Sequence, residues 1–241
     1  MSDPLYLKLA ALGRLTEDDL RALRAQFTTT RDVAAGIDIV REGERPSTVV
    51  LLLKGFACRY KALPDGRRQI LSFHIPGDIL DLHGLLFGDM DHSVGAIQPC
   101  RVSMAPHDTM RELLERRPEL SRVLWRDTLV DSAVFREWMV GMGRRHALER
   151  IAHLLCEVYA RCEAAGLAKL GQCDLPLTQA ELADSLGLSV VHVNRVLQQL
   201  RATGFITLRR GILRIHDWEG LKGAGGFHGG YLHLPASSQV A

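Results

Sequence analysis

The stretch LTQAELADSLGLSVVHVNRVLQQLRATGFI, residues 177–206, contains two helix signals separated by a glycine. Thr178 and Glu181 form the capping-box pattern T-x-x-E, which predicts a first helix that ends at Gly187. Ser189 predicts the N-cap of a second helix. The apolar residues of that second helix recur at helical spacing and are Val193, Val196, Leu197 and Leu200. Two short helices joined by a glycine turn predict a helix-turn-helix.

The positive charge around this motif is local. Between Asp184 and Asp217 the chain has no acidic residue, although its overall net charge is only +2. The arginines in that interval are Arg195, Arg201, Arg209, Arg210 and Arg214. The segment ITLRRGILRI, residues 206–215, predicts two short strands about Arg210 and Gly211, which form a wing. A basic block without acids is typical of a surface that faces DNA phosphates.

The face of the second helix opposite its apolar stripe predicts contacts with base edges in the major groove. Arginine pairs bidentately with guanine, asparagine and glutamine read adenine, and an aliphatic side chain contacts the thymine methyl group. The predicted base contacts are therefore Val190, Val191, Asn194, Arg195 and Gln198. The predicted phosphate contacts, near helix N-termini or on the wing, are Thr178, Gln179, Ser189, His192, Arg209 and Arg210. The alternative is a winged helix used only for contacts with protein.

Length and composition limit the class of protein. The chain has 241 residues, 46% of them hydrophobic and 24% charged, which allows two modest domains with real cores. No apolar run reaches membrane-spanning length and the N-terminus has no signal-peptide pattern, so we expect a cytoplasmic protein. The five cysteines, never spaced C-x-x-C, are Cys58, Cys100, Cys156, Cys162 and Cys173. This spacing favours reduced thiols over disulfides or a zinc site, and we expect no metal site.

Residues 31–106 predict a β-rich domain. The short extended runs IDIV, VVLLL, FACRYKAL, RRQILSFHI and CRVSMA alternate with turn signals. The tripeptides PDG at 64–66 and PGD at 76–78 combine a fixed φ with a glycine that accepts a positive φ. Many short strands at this spacing favour a sandwich or a jelly-roll barrel.

A helical region, 107–142, broken near Pro118, follows the strands. Its apolar residues lie on two sides, which predicts a helix covered partly by its own barrel and partly by a second copy of the chain. The residues assigned to the dimer interface are Leu120, Val123, Leu124, Val134, Phe135, Trp138 and Met142. The other side carries Trp125, Leu129 and Ala133. The alternative is a core helix of a single chain.

The predicted domain boundaries follow these changes of pattern. Residues 1–108 are expected to form a sensor β-barrel with an N-terminal helix. Residues 109–143 are expected to form a dimerisation helix that ends in a hinge, because Gly141 and Gly143 both disfavour a helix. Residues 144–221 are expected to form the winged helix-turn-helix domain. The segment 222–241, rich in glycine and serine, is expected to be a loosely held tail.

A β-barrel, a long helix and a C-terminal winged helix in this order resemble the Crp/Fnr family of bacterial transcription regulators. The resemblance covers roughly residues 20–220 and is carried by the helix-turn-helix, EGE at 42–44, LLLKG at 51–55, PDG and PGD. It implies an α+β fold whose jelly-roll barrel is of the cyclic-nucleotide-binding type. It also implies a homodimer on a palindromic DNA site, an effector in the barrel, and RNA polymerase as a partner if the protein is an activator.

The expected effector pocket departs from the family pattern. In members that bind cyclic AMP, a glutamate and an arginine after PGD hold the ribose and the phosphate, and Leu82 and His92 align with them here. Leucine accepts no hydrogen bond and a neutral histidine is a poor anchor for a phosphodiester, so we expect weak binding of cyclic nucleotides or none. Ser93 completes the candidate pocket, and Asp81 replaces the glutamate only after a shift of one residue.

Other effectors of the family have no stronger support. No iron–sulfur cluster is expected, because the first cysteine is Cys58. Haem needs axial ligands, for which the candidates are His74, His83 and His92, although a histidine in a β domain is more often structural. Thiol sensing through Cys58 or Cys100 stays open. The effector is therefore left unidentified.

The sequence contains no common enzyme motif. It lacks the G-x-S-x-G elbow, the phosphate loop, the H-E-x-x-H pair and the dinucleotide fingerprint, so we assign no catalytic residue and expect no enzyme. Two hypotheses remain. The first is a dimeric, sequence-specific DNA-binding regulator. The second is a ligand-binding regulatory module whose winged helix docks on a protein.

Overall fold

The computed structural model describes residues 3–234 of the chain. The helices are α1 Pro4–Leu12, α2 Glu17–Gln26, α3 Gly84–Phe87, α4 His107–Arg116, α5 Pro118–Arg144, α6 Ala147–Ala164, α7 Gln179–Leu186, α8 Val190–Ala202 and α9 Trp218–Gly225. The strands are β1 Thr29–Val33, β2 Asp38–Val40, β3 Thr48–Lys54, β4 Ala57–Ala62, β5 Arg68–His74, β6 Ser93–Ala96, β7 Cys100–Pro106, β8 Gln172–Asp174, β9 Ile206–Arg209 and β10 Ile212–Ile215. The predicted α+β class is confirmed. Within residues 3–234, no helix combines the length and the apolar character needed to cross a lipid bilayer.

The N-terminal β domain consists of two antiparallel sheets. One sheet has the order β1-β7-β3 and the other the order β2-β6-β4-β5. Both sheets contribute to one core, which includes Val33, Val50, Leu52, Val94 and Val102. The predicted β-rich region is confirmed, and Gly66 and Gly77 adopt φ values of +85° and +97° in the two predicted turns. The sequence does not predict β1, because only the last of its five residues is buried and no alternation is visible.

One side of α5 is covered by the chain itself. The buried residues of the predicted dimer interface are Leu120, Val123, Leu124, Val134 and Trp138, none more than 8% exposed. The first three share a core with Leu5, Leu9 and Leu12 of α1, and the other two with the C-terminal domain. The assignment of these five residues to a dimer interface is therefore wrong. Phe135 is half-buried at a cavity of the β domain, and Met142 is exposed.

The opposite side of α5 is apolar and exposed. Trp125, Leu129, Met139 and Val140 are 56%, 60%, 69% and 49% exposed, and we call them the α5 strip. At about 100° of rotation per residue they fall within an arc of about 100°. Ala133, which the sequence also places on this side, is buried. The helix therefore does carry apolar residues on two sides, as predicted. The side that the chain leaves exposed is the one opposite the predicted dimer interface.

The predicted glycine hinge is also displaced. Gly141 and Gly143 lie inside α5, which runs without interruption to Arg144. The chain leaves the helix at Arg145, whose backbone is extended, and α6 begins two residues later. Tertiary packing therefore overrides the low helix propensity of the two glycines.

The C-terminal domain extends further than predicted. It contains the sheet β8-β10-β9 and helices α6 to α9, followed by a 3-10 turn at Gly229–Leu232. Leu221, Phe227 and Leu232 are buried in its core. The prediction of a loose tail is therefore wrong for residues 222–234, whereas residues 235–241 lie outside the described part of the chain.

The glycines of α9 have a packing reason that composition does not reveal. A Cβ atom on Gly225 would lie 2.6 Å from the backbone nitrogen of His153 in α6, closer than real Cβ atoms come. Nδ1 of the His153 ring in turn lies 3.2 Å from the carbonyl oxygen of Gly225. Glycine here allows two helices to approach each other closely, and it does not loosen the chain.

We expect Gly225→Ala to lower the free energy of unfolding by about 1–3 kcal/mol, because the added methyl group overpacks the α6–α9 contact. The matched control is Gly223→Ala in the same helix, where a Cβ would have nothing within 4 Å. That change should be neutral or stabilise by up to about 1 kcal/mol. Urea unfolding followed by circular dichroism measures both, and equal midpoints for the two variants would contradict the close packing.

Asp78, the last residue of PGD, joins three parts of the chain. Its Oδ1 lies 2.9 Å from Nζ of Lys8 in α1, and its Oδ2 accepts a 2.9 Å hydrogen bond from Nη2 of Arg161 in α6. His74 Nδ1 lies 3.3 Å from the same Oδ2. Burial alone would raise the pKa of Asp78, but Lys8 and Arg161 outweigh burial and hold that pKa well below its usual range. The carboxylate is thus charged, buried and paired between the β domain, the N-terminal helix and the C-terminal domain.

Candidate DNA interface and effector cavity

The two helices of the predicted helix-turn-helix have the predicted caps. Thr178 Oγ1 accepts from the backbone N–H of Glu181, and the Glu181 carboxylate accepts from the backbone N–H of Thr178, which completes the capping box. Gly187 ends α7 in the left-handed conformation with φ +62°. Ser189 Oγ accepts from the backbone N–H of His192 and caps α8. The helix-turn-helix prediction is confirmed down to its cap residues.

Helix α8 presents the predicted free face. Its buried residues are the four that the sequence assigns to the apolar stripe: Val193, Val196, Leu197 and Leu200. Of the predicted base contacts, Val190, Arg195 and Gln198 are exposed and Asn194 is half-buried. Val191 is 80% exposed as well. The side chains assigned to base reading thus share one accessible surface.

The charge of this surface is not neutralised by the chain. Within residues 3–234 none of the five arginines between positions 185 and 216 forms an ion pair. Arg201 donates to the carbonyl oxygen of Leu208, and Arg214 donates to the side-chain oxygen of Gln172. Arg210 and Gly211 adopt φ values of +51° and +75° and form the tight turn between β9 and β10, as the wing predicts. The positive charge therefore remains available to an anion.

The predicted phosphate contacts are less uniform. Ser189, Arg209 and Arg210 are exposed, whereas Gln179 and His192 are half-buried. The hydroxyl of Thr178 is exposed but is shared with the Glu181 carboxylate at 2.8 Å. That carboxylate lies at the N-terminus of α7, where it would repel a phosphate. All six residues belong to the same domain. Their individual contacts with phosphate remain a prediction.

The first helix of the motif is attached to the β domain. Arg68 Nε of β5 donates to the Asp184 carboxylate at 2.8 Å, and Gln69 donates to the carbonyl oxygen of Ser185 at 3.1 Å. Arg150 of α6 donates to the carbonyl oxygen of Leu186. These contacts hold α7 against the chain and leave α8 facing outward. No local sequence pattern predicts the contacts between α7 and β5, because their partners are more than 100 residues apart along the chain.

A cavity of about 420 Å³ lies between the β domain and α5. Two of the predicted effector-pocket residues, Leu82 and His92, line it, together with Arg59, Lys61 and His83. The third, Ser93, is buried and its Oγ accepts from the backbone N–H of Glu42 at 3.0 Å. The two predicted anchor positions therefore do lie in one cavity.

The residues around this cavity do not supply the missing ribose anchor. Asp81 is fully buried, and its Oδ1 accepts a 2.7 Å hydrogen bond from the backbone N–H of Val50. Burial raises the pKa of Asp81 to about 7. The Arg59 guanidinium is paired with Asp131 at 2.7 Å and donates to the carbonyl oxygen of Leu80. Asp81 and Arg59 therefore do not take the places of the glutamate and the arginine that hold cyclic AMP in family members that bind it.

The remaining effector candidates separate in the structure. His74 is buried between Ser72 and Asp78, and burial lowers its pKa to about 4, so it has a structural environment. Burial raises the pKa of Cys58 to about 12 and that of Cys100 to about 11, so neither thiol is activated as a thiolate. His83 and His92 lie together at the cavity.

Comparison with known protein families identifies the same two domains in the chain. Residues 30–117 match the cyclic nucleotide-binding domain, and residues 149–224 match the Crp-like helix-turn-helix domain. The chain is similar to a probable transcriptional activator of Rhizobium leguminosarum bv. viciae, with 31% identity over 81% of this chain and 80% of the relative. It is also similar to the nitrogen fixation regulation protein FixK of Bradyrhizobium diazoefficiens, with 32% identity over 76% of each protein.

A solved structure supports the fold over most of the chain. The structure of FixK2 from Bradyrhizobium japonicum superposes with a TM-score of 0.73 and 28% identity, covering 81% of this chain and 96% of that one. The similarity therefore includes the β domain, the long helix and the helix-turn-helix domain.

Proposed function

The chain belongs to the Crp/Fnr family of DNA-binding transcription regulators, and on that basis we propose that it works as a homodimer that reads a palindromic operator. The observation that supports sequence-specific reading is the exposed face of α8, which lies in an interval without any carboxylate. Val191, Asn194, Arg195 and Gln198 supply the range of contacts that distinguishes base pairs in the major groove.

The proposed dimer is formed by the α5 strip. Its four apolar side chains are at least 49% exposed on one side of a helix of 27 residues. An exposed apolar stripe along one side of a long helix is typical of a helix that packs against a partner helix. A second copy is the partner proposed here, because a palindromic site requires two reading heads about one helical turn, roughly 34 Å, apart.

In vitro selection of duplexes from a random pool tests the proposal. Enrichment of a two-fold symmetric sequence is the expected result. A winged helix that docks only on protein would retain no DNA even at low salt, and that outcome would overturn the proposal. Enrichment of a single half-site would overturn the dimer and leave DNA reading intact.

Arg195→Ala tests the reading of bases. We expect it to weaken binding to the selected operator by about 1–3 kcal/mol and to relax the preference at one base pair, because a bidentate contact is lost. Arg210→Ala is the matched control on the wing. It should weaken all sequences alike and reduce the salt slope by about one, because it removes a phosphate contact. Fluorescence anisotropy on the operator and on single-base variants measures both, and equal losses on every duplex for both variants would contradict the assigned roles.

The remaining partners follow from the same proposal. If the protein activates transcription, as the names of its relatives say of them, RNA polymerase is the expected partner, and the site of action is the bacterial cytoplasm. Cyclic AMP is not proposed as an effector, because Leu82 and His92 stand where the family pattern needs a glutamate and an arginine.

A further inference from the structure

Three residues at the wall of the cavity form a group with the composition of a metal site. One potential donor atom from each of His83, Asp91 and His92 lies within 4.8 Å of the donor atoms of the other two. His83 is the N-cap residue of α3, and His92 directly precedes β6. The spacing of the three residues is not that of a standard zinc motif, so the sequence predicts no metal there.

Both imidazole rings have a nitrogen without a partner. Nε2 of His83 and Nε2 of His92 are buried and form no hydrogen bond. His92 as a whole is only 9% exposed. A buried polar atom without a partner is costly, and a bound metal ion would satisfy both nitrogens.

The second ring nitrogen of His92, Nδ1, is held by a hydrogen bond to Asp91. Its Nδ1 lies 2.6 Å from the Oδ1 of Asp91, which accepts the Nδ1 proton. This hydrogen bond leaves Nε2 as the unprotonated nitrogen with a free lone pair. A carboxylate that orients a histidine from behind in this way is the usual arrangement around a histidine that binds a metal.

The two rings have the separation that a shared metal would require. Their centroids are 4.9 Å apart and their planes are inclined by 34°. With a metal–nitrogen distance of 2.0–2.1 Å, two imidazoles on a tetrahedral ion have centroids about 5.2 Å apart, whereas two on opposite sides of one ion have centroids about 6.4 Å apart. The observed separation is therefore close to that of neighbouring ligands on one metal and too short for the two axial positions of one haem.

The two cations nearest the rings are paired with carboxylates. Burial lowers the pKa of His83 to about 4 and also lowers that of His92, with a further lowering by Arg59 at both rings and by Lys61 at His92. Lys61 lies in the same cavity and is paired with Glu42. Arg59 lies in the same cavity, but its charge is compensated by Asp131 at 2.7 Å.

We propose that His83 and His92 bind a divalent first-row transition metal through their Nε2 atoms, with Asp91 orienting His92. Imidazole ligands with a nearby carboxylate favour ions such as Zn²⁺, Co²⁺ or Ni²⁺ over Mg²⁺ or Ca²⁺. The site lies in the cavity whose far wall includes Thr128, Ser132 and Phe135 of α5. It is independent of DNA reading, which rests on α8.

Titration of the metal-free full chain with Co²⁺ tests the site. The expected result is one Co²⁺ per chain with visible ligand-field absorption that Zn²⁺ removes. His83→Gln and His92→Gln should each weaken Co²⁺ binding by at least about tenfold, and Asp91→Asn by about 10–100-fold. The matched control is His107→Gln, since His107 is also buried with an Nε2 atom that has no partner, and it lies outside the group. Its Co²⁺ affinity should equal that of the wild type.

Two outcomes would overturn the proposal. One is the absence of ligand-field absorption in the wild type. The other is wild-type affinity in both histidine variants, checked for folding by circular dichroism without metal. If a variant does not fold, imidazole ¹⁵N shifts of the wild type on Zn²⁺ addition decide the question. The Nε2 resonances of His83 and His92 should respond, and a response confined to other histidines among the ten in the chain would exclude the site.

Discussion

Asp78→Ala is expected to lower the free energy of unfolding by about 3–5 kcal/mol, because the change leaves two partly buried cations without their shared buried carboxylate. Lys8 retains Asp127 at 2.9 Å, whereas the side chain of Arg161, 15% exposed, loses its 2.9 Å carboxylate partner. The loss should also loosen the attachment of the C-terminal domain, since Arg161 belongs to α6. Urea unfolding measured by tryptophan fluorescence and by circular dichroism gives the magnitude.

The control for this prediction is Asp89→Ala. Asp89 pairs with Arg45 at the surface, where both side chains are more than half exposed, so the unfolding midpoint should not change measurably. The pH dependence provides a second check. The pKa of Asp78 is held below its usual value in the folded chain, so its contribution is present above the unfolded value of about 3.9 and is lost as the pH falls through the folded value. A stability difference between wild type and Asp78→Ala that persists unchanged in strong acid would contradict the assigned charge state.

Leu129→Glu is expected to produce monomers and to weaken operator binding by about 10²–10⁴-fold, because two linked half-site contacts become independent. Leu129 is 60% exposed in the α5 strip, so a carboxylate there is harmless in the monomer. In a dimer, two such carboxylates would face each other across an apolar seam. Light scattering after size-exclusion chromatography gives the mass, and anisotropy on the selected operator gives the affinity.

Leu170→Glu is the matched control for surface charge. Leu170 is fully exposed in the turn before β8 and is not part of α5, so the mass should remain that of the wild type. A dimeric Leu129→Glu variant would exclude the α5 strip as the interface. A Leu120→Glu variant would not answer the question, because Leu120 is buried inside the chain and its replacement would unfold the protein.

The sequence predicts the helix-turn-helix almost residue by residue. Its caps at Thr178 and Ser189, its glycine turn and its buried stripe all depend on contacts within about ten residues, and such contacts are encoded by spacing alone. The turns at Gly66 and Gly77 are predicted for the same reason. By contrast, the strand β1 and the helix α9 have no distinctive local pattern, because the first is mostly exposed and the second is rich in glycine.

The sequence alone therefore determined the class of fold, the reading helix and its local charge, since these follow from periodicity, capping and the order of charged residues along the chain. Only the tertiary structure decided which side of α5 is left free, where the long helix ends, and that His83 and His92 meet at one cavity. Each of these depends on where distant segments dock: α1 on α5, α6 on Asp78, and the α3 turn beside β6. Spacing along the chain carries no direct record of such contacts, because the residues that make them are close only after folding.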